Sequence, residues 1–190
     1  MTALLPGFAD PVLYSQAIFR SVLDAMSRPG RVHEVAGPQS PPAPFDRATS
    51  AVLLTLVDAE TPLWLDPAAS DAAEWLAFHC GAPLADPADA HFAVALGTAP
   101  LAAFSAGTDE EPERSATLIL QVTALGDGDR FTLSGPGLAD TADLAVRGLS
   151  PGFATFWTAN RRLFPRGIDV ILTAGDRLAA LPRTVRMEPA

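Results

Sequence analysis

Residues 164–184 carry the pattern that most limits the fold of this chain. Two short apolar runs lie on either side of Ala174-Gly175-Asp176, and each run has a charged residue at its outer edge. A glycine between two apolar runs is typical of a β-hairpin, because the turn needs a positive φ. Pro182 ends or borders the second strand, and Arg183 follows it. The segment therefore predicts a hairpin with Asp169 and Arg183 at the same end.

The carboxylate of Asp169 is expected on the face of a core strand. Such a carboxylate is costly there unless it is paired or used by a ligand. Asp169 and Arg183 therefore predict either a structural ion pair or part of a binding site, and the residue types alone do not separate the two.

Helical and strand patterns alternate along the rest of the chain. Helices are predicted from Asp10-Pro11 with an apolar stripe of Phe19, Val22, Leu23 and Met26, from Asp46 to about 57, from 70 to 80, and from 151 to 162. Strands are predicted at 32–35, 63–65, 92–96 and 117–123. Gly126-Asp127-Gly128 predicts a second hairpin, which joins the strand at 117–123 to Arg130–Leu133. Strands interleaved with helices and two hairpins indicate one α/β domain over 1–190 with a mixed β-sheet.

The charge of the chain limits its partners. It has 190 residues and a formal net charge of −9. An acidic surface is not attracted to nucleic acid or to an anionic membrane, so neither partner is expected. The first seven residues lack the basic and apolar regions of a signal peptide, and no apolar run is long enough to span a bilayer, so the cytoplasm is the expected location.

The absence of lysine excludes one class of chemistry. All 13 basic residues are arginines, so no side-chain amine can form a Schiff base with pyridoxal phosphate. We expect no cofactor. No metal site is expected either, because the neighbouring His79 and Cys80 point about 100° apart on a helix. His33 and His91 fall on different predicted strands. No nucleophile and base stand in a recognisable catalytic pattern, so no catalytic residue is predicted.

Three further motifs each allow two interpretations. Gly135-Pro136-Gly137 is either a phosphate-binding loop or a turn, and the turn is favoured because the motif matches no known phosphate-loop pattern. Ser27-Arg28-Pro29-Gly30 ends a helix, where Ser27 and Arg28 are also candidates for binding a ligand. Arg161, Arg162 and Arg166 predict contact with an acidic partner or a polyphosphate, or else a solvated helix end.

Together these stretches resemble the PhnH family, the H subunit of the bacterial carbon–phosphorus lyase. The matching segments are Phe19–Gly30 (FRSVLDAMSRPG), Thr49–Leu65 (TSAVLLTLVDAETPLWL), Ser115–Val122 (SATLILQV), Gly135-Pro136-Gly137 and Phe164–Thr184. They occur in family order over nearly the whole chain. Leu138 after the glycine motif and Val185 after Pro-Arg-Thr depart from the family, but neither removes a charge or a glycine.

The resemblance implies a fold and a pathway. The fold would be an α/β three-layer sandwich with a mixed β-sheet, similar to the large domain of pyridoxal-phosphate-dependent transferases but without the cofactor. The chain would be a homodimer alone and would join the subunits PhnG, PhnI and PhnJ. Those subunits transfer the ribose triphosphate moiety of ATP to an alkylphosphonate, as a ribose 1-methylphosphonate 5-triphosphate synthase, and this displaces adenine.

Two functions follow from the resemblance. In the first, the chain is a non-catalytic subunit that supports assembly of the lyase core. In the alternative, the chain is a ligand-binding subunit that holds ATP or the phosphonate nucleotide product. The candidate ligand-binding residues are Ser27, Arg28, Asp169, Arg183 and Thr184. A stand-alone pyridoxal enzyme is excluded by the missing lysine.

Overall fold

The computed structural model describes residues 5–190; residues 1–4, part of the segment considered above for a signal peptide, lie outside the described residues. The helices of this range are α1 Pro11–Ser27, α2 Arg47–Leu56, α3 Ala73–His79 and α4 Phe153–Arg161. The strands are β1 His33–Glu34, β2 Leu63–Leu65, β3 Phe92–Leu96, β4 Thr117–Gln121, β5 Ala124–Ser134, β6 Thr141–Arg147, β7 Asp169–Ala174, β8 Arg177–Leu181 and β9 Arg186–Pro189. No helix within residues 5–190 combines the length and the apolar character that crossing a membrane requires.

Aspartates begin the first two helices, as the sequence predicts. A side-chain oxygen of Asp10 accepts a hydrogen bond from the Leu13 amide at 3.1 Å, and Asp46 accepts one from the Thr49 amide at 2.8 Å. Each bond satisfies a first-turn N–H group that has no partner within the helix. The predicted starts of α1 and α2 are therefore confirmed.

The predicted apolar stripe of α1 is partly wrong. Phe19 and Leu23 remain 47% and 52% exposed, whereas the buried line runs through Ile18, Val22 and Ala25. The helix has apolar residues on two adjacent faces, and the pattern alone does not say which face meets the sheet. Packing against the sheet and α2 selects the Ile18 face.

The third predicted helix begins differently from the prediction. A 3-10 segment covers Pro67–Ala72 and is capped by Asp66, whose carboxylate accepts from the Ala68 amide at 2.9 Å. Regular α-helix follows as α3 and ends before Gly81, whose φ of 68° suits a residue without a Cβ. Two further 3-10 turns, Leu101–Ala103 and Pro112–Arg114, lie in the long connection between β3 and β4.

The main sheet has six strands in the order β1-β8-β7-β4-β3-β2. Strands β2, β3, β4 and β7 are parallel, and β8 and β1 are antiparallel to their neighbours. The predicted hairpin is confirmed as β7 and β8, with Val170 opposite Leu181 and a turn at Gly175-Asp176. Gly175 has a φ of 62°, as the turn requires. The predicted mixed sheet is also confirmed.

The second predicted hairpin is wrong. β4 lies between β3 and β7 in the main sheet, while β5 belongs to a separate antiparallel sheet in the order β6-β5-β9. Gly126 and Gly128 lie inside β5, where its pairing with β6 shifts register between Leu125 and Asp129. A Gly-Asp-Gly sequence suits a β-bulge as well as a turn, because both need positive φ. The continuous apolar run of β4 is that of a central strand buried on both faces.

Alternate side chains of the main sheet enter two separate cores. Ile119 and Ile171 pack against α1, α2 and α3 on one face. Leu120 and Leu172 pack on the other face against the three-stranded sheet and α4. Strand periodicity of two explains why consecutive apolar residues are all buried. The α/β class is confirmed, and a small sheet with one helix forms the layer opposite the three helices.

Candidate functional site

Most predicted site residues gather near the amino ends of the parallel strands. Asp169 is the first residue of β7, and β8 runs back so that Arg183 follows its last residue by two positions. In open α/β sheets, ligands bind beyond the carboxyl ends of the strands. Asp169 and Arg183 therefore lie at the opposite edge from the usual binding crevice.

The carboxyl ends of β4 and β7 are closed by a polar network. The side-chain oxygen of Gln121 accepts from the Thr49 hydroxyl at 2.7 Å, and that hydroxyl lies 2.7 Å from the hydroxyl of Thr173. Asp46 accepts from the Gly175 amide at 2.6 Å as well as capping α2. Burial raises the pKa of Asp46 above its ordinary value, against the effect of these hydrogen bonds. These groups satisfy one another and fix α2 to the sheet.

Asp169 and Arg183 form a compact ion pair. The guanidinium Nη2 donates to the carboxylate at 2.6 Å, and the Arg183 main-chain amide donates to the same carboxylate at 2.7 Å. Nη1 of Arg183 donates to the carbonyl oxygen of Pro112 at 2.7 Å. The Arg183 side chain is only 15% exposed, and the Asp169 side chain is only 20% exposed. The pair thus connects the hairpin to the β3–β4 connection and leaves little donor capacity for a ligand.

Ser27 and Arg28 lie at the carboxyl end of α1 and serve local contacts. The Ser27 hydroxyl donates to the Asp24 carbonyl at 3.0 Å, and the Arg28 guanidinium pairs with the Asp24 carboxylate. His33 Nε2 lies 3.2 Å from the same carboxylate. Burial, with help from the neighbouring charges of Arg31 and Arg28, nevertheless lowers the pKa of His33 below its usual range.

The Gly135-Pro136-Gly137 loop joins β5 to β6, which confirms the turn interpretation. A side chain at position 137 would collide with the carbonyl oxygen of Ser27. A Cβ at position 135 would lie 3.2 Å from the carbonyl oxygen of Thr184. Three motifs that are far apart in the sequence therefore meet at one corner of the molecule.

A cavity of about 340 Å³ opens beside this loop. Pro136, Arg161, Phe164 and Thr184 line it. Thr184 is thus the predicted site residue that the structure places at a cavity. Ser27, Arg28, Asp169 and Arg183 are not among the residues that line it.

Sequence reasoning named Arg161 as a candidate for contact with an acidic partner or a polyphosphate, but it did not place Arg161 or Phe164 beside Thr184. The available signal was the arginine cluster that precedes the hairpin. What the sequence did not show is the position of α4 relative to Thr184. Trp157 of α4 is fully buried, and its indole N–H donates to the carbonyl of Val185 at 2.9 Å, which brings the helix beside Thr184.

Asn160 holds the end of α4 against the start of β7. Its amide nitrogen donates to the Ile168 carbonyl at 2.9 Å, and its amide oxygen accepts from the Ile168 N–H at 2.8 Å. Asn160 is buried, so both bonds are made away from water. This clamp fixes the intervening loop, which carries Phe164 and Arg166. Arg166 in turn lies 3.0 Å from Asp109 of the β3–β4 connection.

The histidines and the cysteine do not combine with acidic side chains into a metal site in the described part of the chain. Among the described residues, no three or more His, Cys, Asp and Glu side chains lie close enough to hold a metal ion. Cys80 is buried with its Sγ 3.9 Å from the Leu53 carbonyl, and burial raises its pKa to about 11. The Cys80 thiol is therefore protonated at neutral pH and is a poor nucleophile.

The family follows from comparison with known proteins. The model of the family described as bacterial phosphonate metabolism protein (PhnH) matches residues 6–188. This chain belongs to the PhnH family. The match includes the glycine loop, α4 and the β7–β8 hairpin, so the whole corner described above lies within the family region.

Two curated relatives share most of this length. The chain is 43% identical over 188 residues to a Rhizobium meliloti protein named "Alpha-D-ribose 1-methylphosphonate 5-triphosphate synthase subunit PhnH", with 96% of this chain and 94% of the relative covered. It is 36% identical over 179 residues to a Stutzerimonas stutzeri protein named "Putative C-P lyase subunit protein HtxG", with 90% and 85% covered.

Proposed function

We propose that this chain is a subunit of the enzyme system that converts alkylphosphonates through ribose 1-methylphosphonate 5-triphosphate. The observation that carries this proposal is the 43% identity, over 96% of the chain, to a relative named as a subunit of that synthase. Identity of this extent over the full family region supports the same place in the pathway.

Within that system we assign the chain a supporting rather than a catalytic role. Asp169 and Arg183 are engaged with each other, and the Cys80 thiol is held protonated, so neither supplies a reactive group. We propose that the fold is related to the large domain of pyridoxal-phosphate transferases and works without that cofactor, which the lack of lysine supports. We also propose that the chain works in the cytoplasm, as a homodimer alone and with PhnG, PhnI and PhnJ in the complex.

Complementation tests this function. A Rhizobium meliloti strain that lacks its related subunit should regain growth on methylphosphonate as the sole phosphorus source when it expresses this chain. Growth of both strains on inorganic phosphate is the control. Tagged chain from the restored strain should co-purify the sister subunits. A soluble, folded chain that neither restores growth nor retains a sister subunit would overturn the proposal.

The supporting role has its own test. Purified chain is incubated with ATP and methylphosphonate, and release of adenine is followed by chromatography. We expect no release above the protein-free control. Adenine release by the chain alone would show that it carries the chemistry itself.

A second candidate function is ligand binding by this subunit, to ATP or to the phosphonate nucleotide product. The observation in its favour is the cavity lined by Thr184 and Arg161. Because Asp169 and Arg183 satisfy each other, this function depends on residues other than that pair.

A further inference from the structure

A second cavity lies between the carboxyl end of α4 and β9. Its volume is about 280 Å³, and its lining includes Arg161, Arg162, Arg186, Thr158 and Glu188. Three guanidinium groups and one carboxylate leave this cleft with a net charge of about +2 in a chain of net charge −9. Such a local reversal of charge attracts anions.

The arginines of the cleft are poorly matched by acids of the protein. Within residues 5–190, neither Arg161 nor Arg162 has a carboxylate within ion-pair distance. Arg186 lies 3.8 Å from Glu188, and both side chains are more than half exposed, so their attraction is weak. The guanidinium groups are therefore available to an outside anion.

Arg161 keeps part of its guanidinium group inside the protein. Its Nε is buried, yet it donates to no acceptor in the described part of the chain. Native structures rarely keep a buried donor without a partner, because its hydrogen-bonding capacity is then unmet. Because Nε itself is closed to solvent, an outside anion would be held by the terminal nitrogens of the guanidinium group and would offset its charge.

Arg161 also lines the 340 Å³ cavity beside the glycine loop, so the two cavities meet at this residue. The first cavity adds Thr184, Pro136 and Phe164, and Phe164 is 64% exposed. An exposed aromatic ring offers a stacking surface for a base or a sugar face. One end of the combined site is thus cationic, and the other is apolar with a hydroxyl.

We propose that the two cavities form one site for a phosphate ester, with its phosphates on Arg161, Arg162 and Arg186 and its sugar or base against Phe164. Guanidinium groups donate paired hydrogen bonds that match phosphate oxygens. The Asn160 and Trp157 hydrogen bonds fix α4, so these residues are positioned before the ligand arrives. The two cavities and their arginines are the basis for proposing the site. That its ligand is a triphosphate ester, rather than another anion, rests on the proposed function.

Calorimetry on the isolated full chain tests the site with tripolyphosphate and ATP as probes. We expect both to bind, and Arg161→Ala to weaken binding about 10-fold or more, as expected for loss of a charged hydrogen-bond donor. Arg20→Ala is the matched control, because Arg20 is exposed on α1 and lines neither cavity. Phe164→Ala should weaken the binding of ATP more than the binding of tripolyphosphate, since only ATP carries a base.

Arg162→Ala provides a second variant in case Arg161→Ala fails to fold, because Arg162 is exposed. Absence of binding by both probes overturns the site, as does equal weakening by Arg20→Ala. Arg161-dependent binding of a polyglutamate peptide without binding of tripolyphosphate would also overturn it, in favour of an acidic protein partner. Failure of these assays together with successful complementation would remove the site and leave the proposed function standing.

Discussion

Asp169 shows how one partly buried carboxylate can determine the arrangement of a whole corner. It fixes the Arg183 side chain and main chain, and Arg183 then reaches the Pro112 carbonyl of a segment that is distant in sequence. The carboxylate is therefore part of a contact between the hairpin and the β3–β4 connection. Its removal would leave a guanidinium that is 15% exposed without its counter-charge.

We expect Asp169→Ala to lower the free energy of unfolding by about 2–3 kcal/mol, because it removes an acid from a largely buried pair. Asp127→Ala is the matched control. Asp127 and Arg147 have the same 2.6 Å separation, but their side chains are 65% and 57% exposed, so the loss there should be below about 1 kcal/mol. Urea unfolding followed by circular dichroism measures both values.

The double variant Asp169→Ala/Arg183→Ala separates the charge from the packing. It should be less destabilised than the sum of the single variants, because no unpaired guanidinium remains. Equal losses for the buried and the exposed pair would contradict this account.

His33 predicts a pH dependence of known sign. Because burial and the nearby arginines lower its pKa in the folded state, the unfolded chain binds this proton more tightly. The stability linked to His33 is therefore complete above pH 6.5, and it declines as pH falls through 6.5 toward the lowered value. Asp24 Oδ2 lies 3.2 Å from His33 Nε2, and the net direction of the His33 pKa shift is downward.

The measurement is the difference in unfolding free energy between wild type and His33→Gln at pH 7.5, 6.5 and 5.5. We expect the unfolding free energy of the wild type to fall relative to that of His33→Gln as pH falls. His91→Gln, at an exposed histidine, is the control for removal of an imidazole. A difference that is constant with pH, or that grows toward acid, would be incompatible with a lowered pKa.

At the scale of the element, β5 depends on a bulge that its glycines permit. Gly128 has a φ of 111°, and a Cβ there would lie 2.5 Å from the Val146 carbonyl oxygen of β6. Gly152, by contrast, has no heavy atom within 4 Å of such a Cβ and an ordinary negative φ of −89°. The two glycines differ in what a methyl group would do.

Gly128→Ala should therefore lower the free energy of unfolding by about 2–4 kcal/mol, through backbone strain and the collision with β6. Gly152→Ala should change it by less than about 1 kcal/mol. Chemical unfolding of both variants decides the matter. An open hairpin turn at this position would keep the backbone strain but avoid the collision with β6, so a loss no larger than that strain alone would argue against the bulge.

Local signals explain which elements were predicted correctly. The β7–β8 hairpin has its turn glycine, its apolar runs and its terminal proline within one stretch, so no distant residue is needed to recognise it. β5 was assigned the wrong partner because glycine in a bulge and glycine in a turn look alike. The strand β6, Thr141–Arg147, was not predicted, because only Leu144 and Val146 of its side chains are buried.

The candidate site shows a similar limit. The sequence indicated the Asp169–Arg183 pair and the arginine cluster, but it did not show that α4 brings Arg161 next to Thr184. That proximity depends on the Trp157 bond to Val185, which joins residues 28 positions apart. Contacts of this kind are set by the packing of elements and have no local pattern.

At the scale of the whole molecule, α1 leaves an apolar strip on the surface. Val12, Leu13, Phe19 and Leu23 are all exposed along this helix. Twofold dimers commonly bury such a patch against its own copy. The strip is therefore our candidate for the interface of the proposed homodimer.

We expect wild-type chain to sediment at about 40 kDa, twice its chain mass of 19.9 kDa. Leu23→Asp should sediment at the chain mass, since it places a charge in the apolar patch. Phe78→Asp, at an exposed aromatic of α3, is the control and should remain dimeric. Sedimentation of the wild type at the chain mass at micromolar concentration would rule out the dimer. A Leu23→Asp variant that is still dimeric would rule out this strip as the interface.

The buried position of Cys80 has a practical consequence. It is the only cysteine of the chain, and α2 covers it through the Leu53 carbonyl. A disulfide reagent in solution can therefore modify it only while α2 and α3 separate from each other. The rate of that labelling reports how often the helical layer opens, in the native chain and in the assembled complex, without any introduced probe.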